Sequence, residues 1–283
     1  VRKPGDTETV AHAIYDYALA TGEANSGNVS NDDSLGIEYT LKTVDIVDTK
    51  TLELSASGAL SAQITDSTGT GTLLITGQIE LTGKNAYDSV TRVSGDKALL
   101  TVGQSGLGST SALLLESRAS FINEGANSAG YLNASGSNIT LNETLTLTGG
   151  DASTITNGSI TGNGALHIQT NQLTVSGEVN DVGFTGNVNL ISGADLTLDN
   201  VDGLGKGNID LDWGSSTVNV KGTSATTLSN TYTGTGNISV DLSGSGNVFD
   251  FSEKQGSGAF TGRLTLENAA YHLYDDDKGE LAK

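Results

Sequence analysis

Three histidines, His12, His167 and His272, are the groups in this 283-residue chain best suited to move protons near neutral pH. His167 stands in Leu166-His167-Ile168 and His272 in Tyr271-His272-Leu273, each the polar middle of an apolar triplet. That placement predicts exposed strand positions rather than catalytic bases. A serine nucleophile needs a strained elbow and a partnering base. No Gly-x-Ser-x-Gly word occurs, and Gly244-Ser245-Gly246 and Gly256-Ser257-Gly258 read as turns. Among the acids, Asp195, Asp199, Asp202, Asp210 and Asp212 cluster, and Asp275-Asp276-Asp277 lies near the last residue. Asp210 and Asp212 flank Leu211, so on one strand both point outward about 7 Å apart, a spacing that would hold an ion weakly or simply form a solvated acidic face. β-Helical polysaccharide lyases add a basic residue to paired acids, but here Arg2, Arg92, Arg118 and Arg263 are scattered. The calcium-binding glycine-aspartate nonapeptide is absent. Trp213, directly after Asp212, is the aromatic most suited to a sugar cleft, with coil-corner packing as its plainer role. We therefore expect no catalytic residue, no metal and no cofactor. No individual binding residue is assigned.

The elements that would position these residues are short. Apolar, polar, apolar triplets recur in pairs: Ile139/Leu141 with Leu145/Leu147, Leu166/Ile168 with Leu173/Val175, and Val188/Leu190 with Leu196/Leu198. The series continues with Ile209/Leu211 and Val218/Val220, Ile238/Val240 and Phe249/Phe251, then Leu264/Leu266 and Tyr271/Leu273. Alternation over so few residues predicts very short strands with one buried face. The pair starts advance by 21 to 29 residues without closing into a self-contained domain, as in a solenoid. With one strand set per coil and coils about 4.8 Å apart, roughly twelve coils would form a rod of about 55–60 Å. Leu52/Leu54, Leu73/Ile75 and Leu113/Leu115 fit the same ladder upstream.

Composition agrees with that architecture. The chain has 38 glycines and one proline. Glycine suits corners with positive φ, whereas proline would remove a donor from a stacked ladder. Thr, Ser, Asn and Asp fill the polar positions, where stacked side chains can hydrogen-bond along the rod. A longer repeat overlies the coils: Gly106-Leu107-Gly108 returns as Gly203-Leu204-Gly205, 97 residues later. Thr68-Gly69-Thr70-Gly71 returns as Thr161-Gly162-Asn163-Gly164, and Phe184-Thr185-Gly186 as Phe260-Thr261-Gly262. The first 36 residues depart from the ladder. Thr9 to Leu19 reads as a coil edge or a partly ordered connection, with one or two amphipathic turns of helix as the alternative, and Glu23 to Ser34 as a loop.

Charge narrows the partners. Fourteen basic against thirty-three acidic residues give a net charge of −19, which disfavours nucleic acid and anionic membrane. Absent cysteine removes disulfides and thiolate metal sites, and suits a chain exported before it folds. No apolar run reaches membrane-helix length and no leader stands at Val1, so the chain reads as a mature fragment of something longer.

The run Ile37-Glu38-Tyr39-Thr40-Leu41-Lys42-Thr43-Val44-Asp45-Ile46, then Lys50-Thr51-Leu52-Glu53-Leu54 and Leu60-Ser61-Ala62-Gln63-Ile64, resembles passenger domains of Gram-negative autotransporters. Leu81-Thr82-Gly83-Lys84-Asn85-Ala86-Tyr87-Asp88, followed by Thr91-Arg92-Val93 and Ala98-Leu99-Leu100, is similar to that family's passenger-associated repeat. The resemblance covers residues 37 to 274. It implies an all-β, right-handed parallel β-helix, exported by type V secretion and displayed on the cell surface. The aromatic-girdle strands of the family's translocator barrel are missing from this sequence. The expected organisation is 1–36 as an irregular segment or truncated first coil, 37–274 as the β-helix, and 275–283 as a polar tail. The expected function is that of a non-enzymatic adhesin, promoting aggregation, biofilm formation or attachment to host cells or matrix. Its partners would be copies of itself on neighbouring cells, or a host-surface protein or glycan. The rivals are a structural stalk for a distal domain and a β-helical polysaccharide-degrading enzyme.

Overall fold

Each apolar, polar, apolar word forms a strand that buries its outer two residues and turns the middle one to solvent, so no strand is stable until another coil lies on it. The structure, a computed structural model, describes residues 11–19, 37–149, 151–169, 172–200, 203–211, 214–223, 226–228, 230–243, 248–251 and 260–271. Among them there is no helix, and the strands stack in parallel as a β-solenoid, a right-handed parallel β-helix. Parallel pairing needs a crossover, which each coil supplies by travelling around the prism before rejoining its own face.

The coil beginning at Ala112 shows the plan. Ala112–Glu116 lies on the first face, Ser120–Asn123 on the second and Asn127–Ala129 on the third, before Tyr131–Ser135 returns to the first face. The first face is the longest ladder, with eleven strands from Thr51–Leu54 to Arg263–Glu267. Its outward central row is Glu53, Leu74, Arg92, Leu114, Asn133, Thr154, Thr174, Thr197, Asn219, Ser239 and Thr265. Successive members are 18 to 26 residues apart. Eleven rungs at the usual strand spacing span about 48 Å, shorter than the roughly twelve coils expected.

The register also corrects the pairing of triplets. Leu145 lies beside Leu166, and Ile209 beside Tyr232, on the third face. Ile139 instead neighbours Phe121 and Ile160 on the second face, and Ile238 neighbours Val218 on the first. The expected steps from 139 to 166 and from 209 to 238 therefore crossed from one face to another. The true coil carries three short faces, and neighbouring faces spell the same local word.

Inside, the stacks are aliphatic. Ile75, Val93, Leu115, Ala134, Ile155, Val175, Leu198, Val220 and Val240 form one buried row down the first face, and Leu145, Leu166, Val188 and Ile209 another down the third. This core is continuous, so stability comes from contacts between adjacent coils rather than from a central globule.

At the first coil, Ala11–Leu19 is a strand, not a turn of helix. It runs antiparallel to Ile37–Ile46, with a register irregularity between Ile14 and Tyr15. Ile37–Ile46 then pairs in parallel with Gln63–Asp66. An antiparallel strand occupies an edge that would otherwise offer unpaired N–H and C=O groups. The loop expected over 23–34 and the tail over 275–283 fall outside the described residues.

Candidate functional surface

The outward positions form a surface of stacked hydroxyl and amide groups. Thr154 Oγ1 donates to Asn133 Oδ1 at 3.0 Å, and the Thr156 and Ser176 hydroxyls meet at 3.1 Å on the first face. On the second face Ser159 donates to Asn138 Oδ1 at 2.8 Å, and the Thr140 and Thr161 hydroxyls lie 3.1 Å apart. On the third, Asn208 Nδ2 donates to Thr233 Oγ1 at 2.8 Å, and Thr233 to Asp210 Oδ1 at 3.0 Å. The expected polar ladders are therefore present. Each bond links positions on neighbouring coils, which holds the side chains in one orientation and leaves remaining lone pairs and hydrogens directed outward.

Charge divides this surface. No Lys or Arg occurs from residue 119 to 205. The stacked coils of that stretch present mainly Thr, Ser and Asn, with scattered carboxylates. Upstream, Arg92 pairs with Glu116 at 2.7 Å across neighbouring strands of the first face, where both side chains remain well exposed.

The residues singled out by sequence fall as follows. His167 is the outward middle of Leu166–Gln169, half-buried between Thr146 and Asn189, and partial desolvation lowers its pKa below the usual 6.5. Asp195 and Asp199 lie half-buried on the outer side of Asp195–Asp199, and Asp199 accepts a hydrogen bond from Asn200 at 3.0 Å. Asp210 is likewise outward and half-buried, held by Thr233. Among the described residues no three His, Cys, Asp or Glu groups converge to hold a metal ion. Arg92 is tied to Glu116, Arg118 lies in the turn two residues after Glu116, and Arg263 is exposed on the last strand of the first face. Asp202, Asp212, Trp213, His272, the two Gly-Ser-Gly words, Arg2 and Asp275 to Asp277 lie outside the described residues, as does the side chain of His12.

Sequence reasoning missed the buried polar residues. Asn127 stands on the third face in a row that continues through Leu145, Leu166, Val188 and Ile209, Asn85 lies beside the Thr65–Ala86 bridge, and between their coils the chain at 103–110 leaves strand geometry to form turns. Some of its backbone groups still bond to neighbouring coils, as Gly103 N does to Leu81 O and Ser109 N to Tyr87 O, and the asparagines pair with others. Asn85 Nδ2 donates to Gly106 O at 2.6 Å, while Asn127 Oδ1 accepts from Leu107 N at 3.1 Å and its Nδ2 donates to Gly103 O at 2.9 Å. The second Gly-Leu-Gly turn is built alike: Asn230 Oδ1 accepts from Leu204 N at 2.8 Å, and its Nδ2 donates to Leu204 O at 2.9 Å. The longer repeat is thus a recurring turn with a buried amide beside it. The same offset relates the fully buried Tyr87 and Phe184 beneath the two turns. An asparagine one coil beyond a Gly-Leu-Gly word was the signal available.

Comparison with known proteins adds little to this geometry. No protein-family model matches the chain. No solved structure matches it. It is 31% identical over 218 residues to the uncharacterized protein YuaQ of Escherichia coli strain K12, a match covering 71% of this chain and 15% of that protein. The chain therefore spans a small part of the length of that relative.

Proposed function

We propose that this chain is a β-helical segment of a surface-displayed autotransporter passenger, acting as an adhesin. The observation that supports the reading is the ordered ladder of hydroxyl and amide groups with no Lys or Arg from residue 119 to 205. Such a surface suits many weak, directional hydrogen bonds rather than one deep site. Repeated over many copies per cell, weak contacts become strong by avidity. Two rods with a net charge of −19 each repel at long range, so contact requires screening ions or faces on which carboxylates are sparse.

Display of the segment on an unrelated outer-membrane barrel tests the reading. Aggregation of the displaying cells, or retention on host matrix, is the expected result, and raising ionic strength should strengthen self-aggregation. Replacing Thr154, Thr174 and Thr197 by lysine, one above another on the first face, should alter it. Cells that stay dispersed and bind no matrix would instead identify the segment as a stalk, a role that the continuous ladder would also serve.

A further inference from the structure

We propose that a groove at the corner entering the first face, walled by Tyr131, binds a neutral hexose residue of a glycan. The groove is open to solvent, has a volume of about 520 Å³ and crosses four successive coils, at Val90, at Ser109 to Ala112, at Gly130 and Tyr131, and at Thr148, Gly149 and Asp151. Three strand spacings set its scale at about 14 Å along the rod, and its volume falls within the range of small-molecule sites.

Tyr131 supplies the recognition surface. Tyr87, Tyr232, Phe121 and Phe184 are fully buried, whereas Tyr131 is half-exposed and faces this groove. An aromatic ring beside hydroxyl groups suits a pyranose, whose C–H face is apolar and whose edge is lined with hydroxyls. Ser109, Ser111 and Thr148 bring hydroxyls to the lining, and Asp151 a solvent-exposed carboxylate that accepts from sugar hydroxyls.

The floor is held in place. Thr110 Oγ1 donates to Ser89 O at 2.6 Å and lies 2.9 Å from the Thr91 hydroxyl, which in turn meets the Tyr87 hydroxyl at 2.8 Å. Gly130 lies against the Ser111 carbonyl so closely that a Cβ would collide with it, and the bare backbone keeps the groove open. A site rigid before binding loses less entropy on binding.

Charge selects the sugar class. The lining contains a carboxylate and no cation, and no Lys or Arg occurs from residue 119 to 205. Sialic and uronic acids are repelled, so the ligand is neutral. This site goes beyond the polyvalent face: it is one defined groove and does not require self-association.

The test uses the whole chain, titrated with methyl β-galactoside and methyl N-acetylglucosaminide, and with N-acetylneuraminic and glucuronic acids, while resonances of the groove residues are followed by NMR. We expect saturable shifts at Tyr131, Gly130 and Thr148 with at least one neutral sugar, and none with the acids. Tyr131→Ala should weaken binding about tenfold, equivalent to about 1.4 kcal/mol, and Tyr131→Phe should retain it. Unchanged far-ultraviolet circular dichroism confirms that the variants keep the fold. The inference is overturned by no saturable shift with either neutral sugar, by equal binding of the acids, by binding that survives Tyr131→Ala, or by shifts that arise only when the protein self-associates. Aggregation of displaying cells is read separately with Tyr131→Ala, so failure of the groove and failure of the adhesive face are distinguishable.

Discussion

Replacing Asn127 by leucine should open the solenoid around residues 103–110 while leaving the rest of the rod in place. Asn127 neighbours Leu145 in register on the third face, so a leucine of similar size continues the aliphatic row and the perturbation is chiefly the loss of polar partners. Asn127 Oδ1 accepts from Leu107 N, and Nδ2 donates to Gly103 O, to Gly125 O at 3.0 Å and to Asn123 Oδ1 at 2.8 Å. Two to three of these groups lose their partner at about 2 kcal/mol each. Burying the leucine side chain returns about 2 kcal/mol. The net loss is about 3 kcal/mol. Because a solenoid opens coil by coil, amide hydrogen exchange is the suitable assay. At about 1.4 kcal/mol per tenfold, exchange at Leu107 and its neighbours should accelerate roughly a hundredfold. Asn133→Leu is the control: Asn133 is exposed on the first face and accepts one bond from Thr154, so its cost should stay within about 0.5 kcal/mol. Equal effects at the two positions, or protection that increases in Asn127→Leu, would refute the assignment of a structural role to the buried amide.

Tyr87 is fully buried, and burial raises its pKa above the ordinary 10.0 of tyrosine, an effect only partly opposed by its hydrogen bond to Thr91. The unfolded chain therefore releases this proton first, so the associated stability is complete below pH 10 and declines as pH rises above it, by about 1.4 kcal/mol per pH unit. Denaturation followed from neutral to strongly alkaline pH should show that decline in the native chain and a shallower one in Tyr87→Phe. His167 has the opposite sense: partial desolvation lowers its pKa below 6.5, so its contribution is present above pH 6.5 and lost as pH falls through the lowered value. His167→Asn should flatten the acid limb of the stability profile between pH 6.5 and the onset of carboxylate titration, as measured by thermal melting. Gly108 has φ +59°, and a Cβ there would lie 2.6 Å from Tyr87 O, so Gly108→Ala should destabilise by about 2 kcal/mol or more, read by denaturant titration. Gly95, with φ +123° but space for a Cβ, separates backbone strain from collision when replaced in the same way.

The period-2 words, the step of 21 to 29 residues, abundant glycine and scarce proline suffice for an all-β solenoid, because each is a local consequence of short strands turning tight corners. The polar ladders were legible for the same reason: alternation alone places Thr154, Thr174 and Thr197 outward. Which face each triplet joins was not legible. Leu145 and Ile139 belong to similar words six residues apart, and only stacking against Leu166 and Ile160 separates their faces. Asn127 and Asn133 show the same limit, since one amide is buried against turn carbonyls and the other faces solvent. Nor does the local pattern reveal that Ala11–Leu19 pairs antiparallel with Ile37–Ile46, or that Tyr131 meets residues of three other coils at one groove. Local alternation sets which side of a strand is apolar. Register between residues about twenty positions apart sets what that side touches, and only the folded stack supplies it.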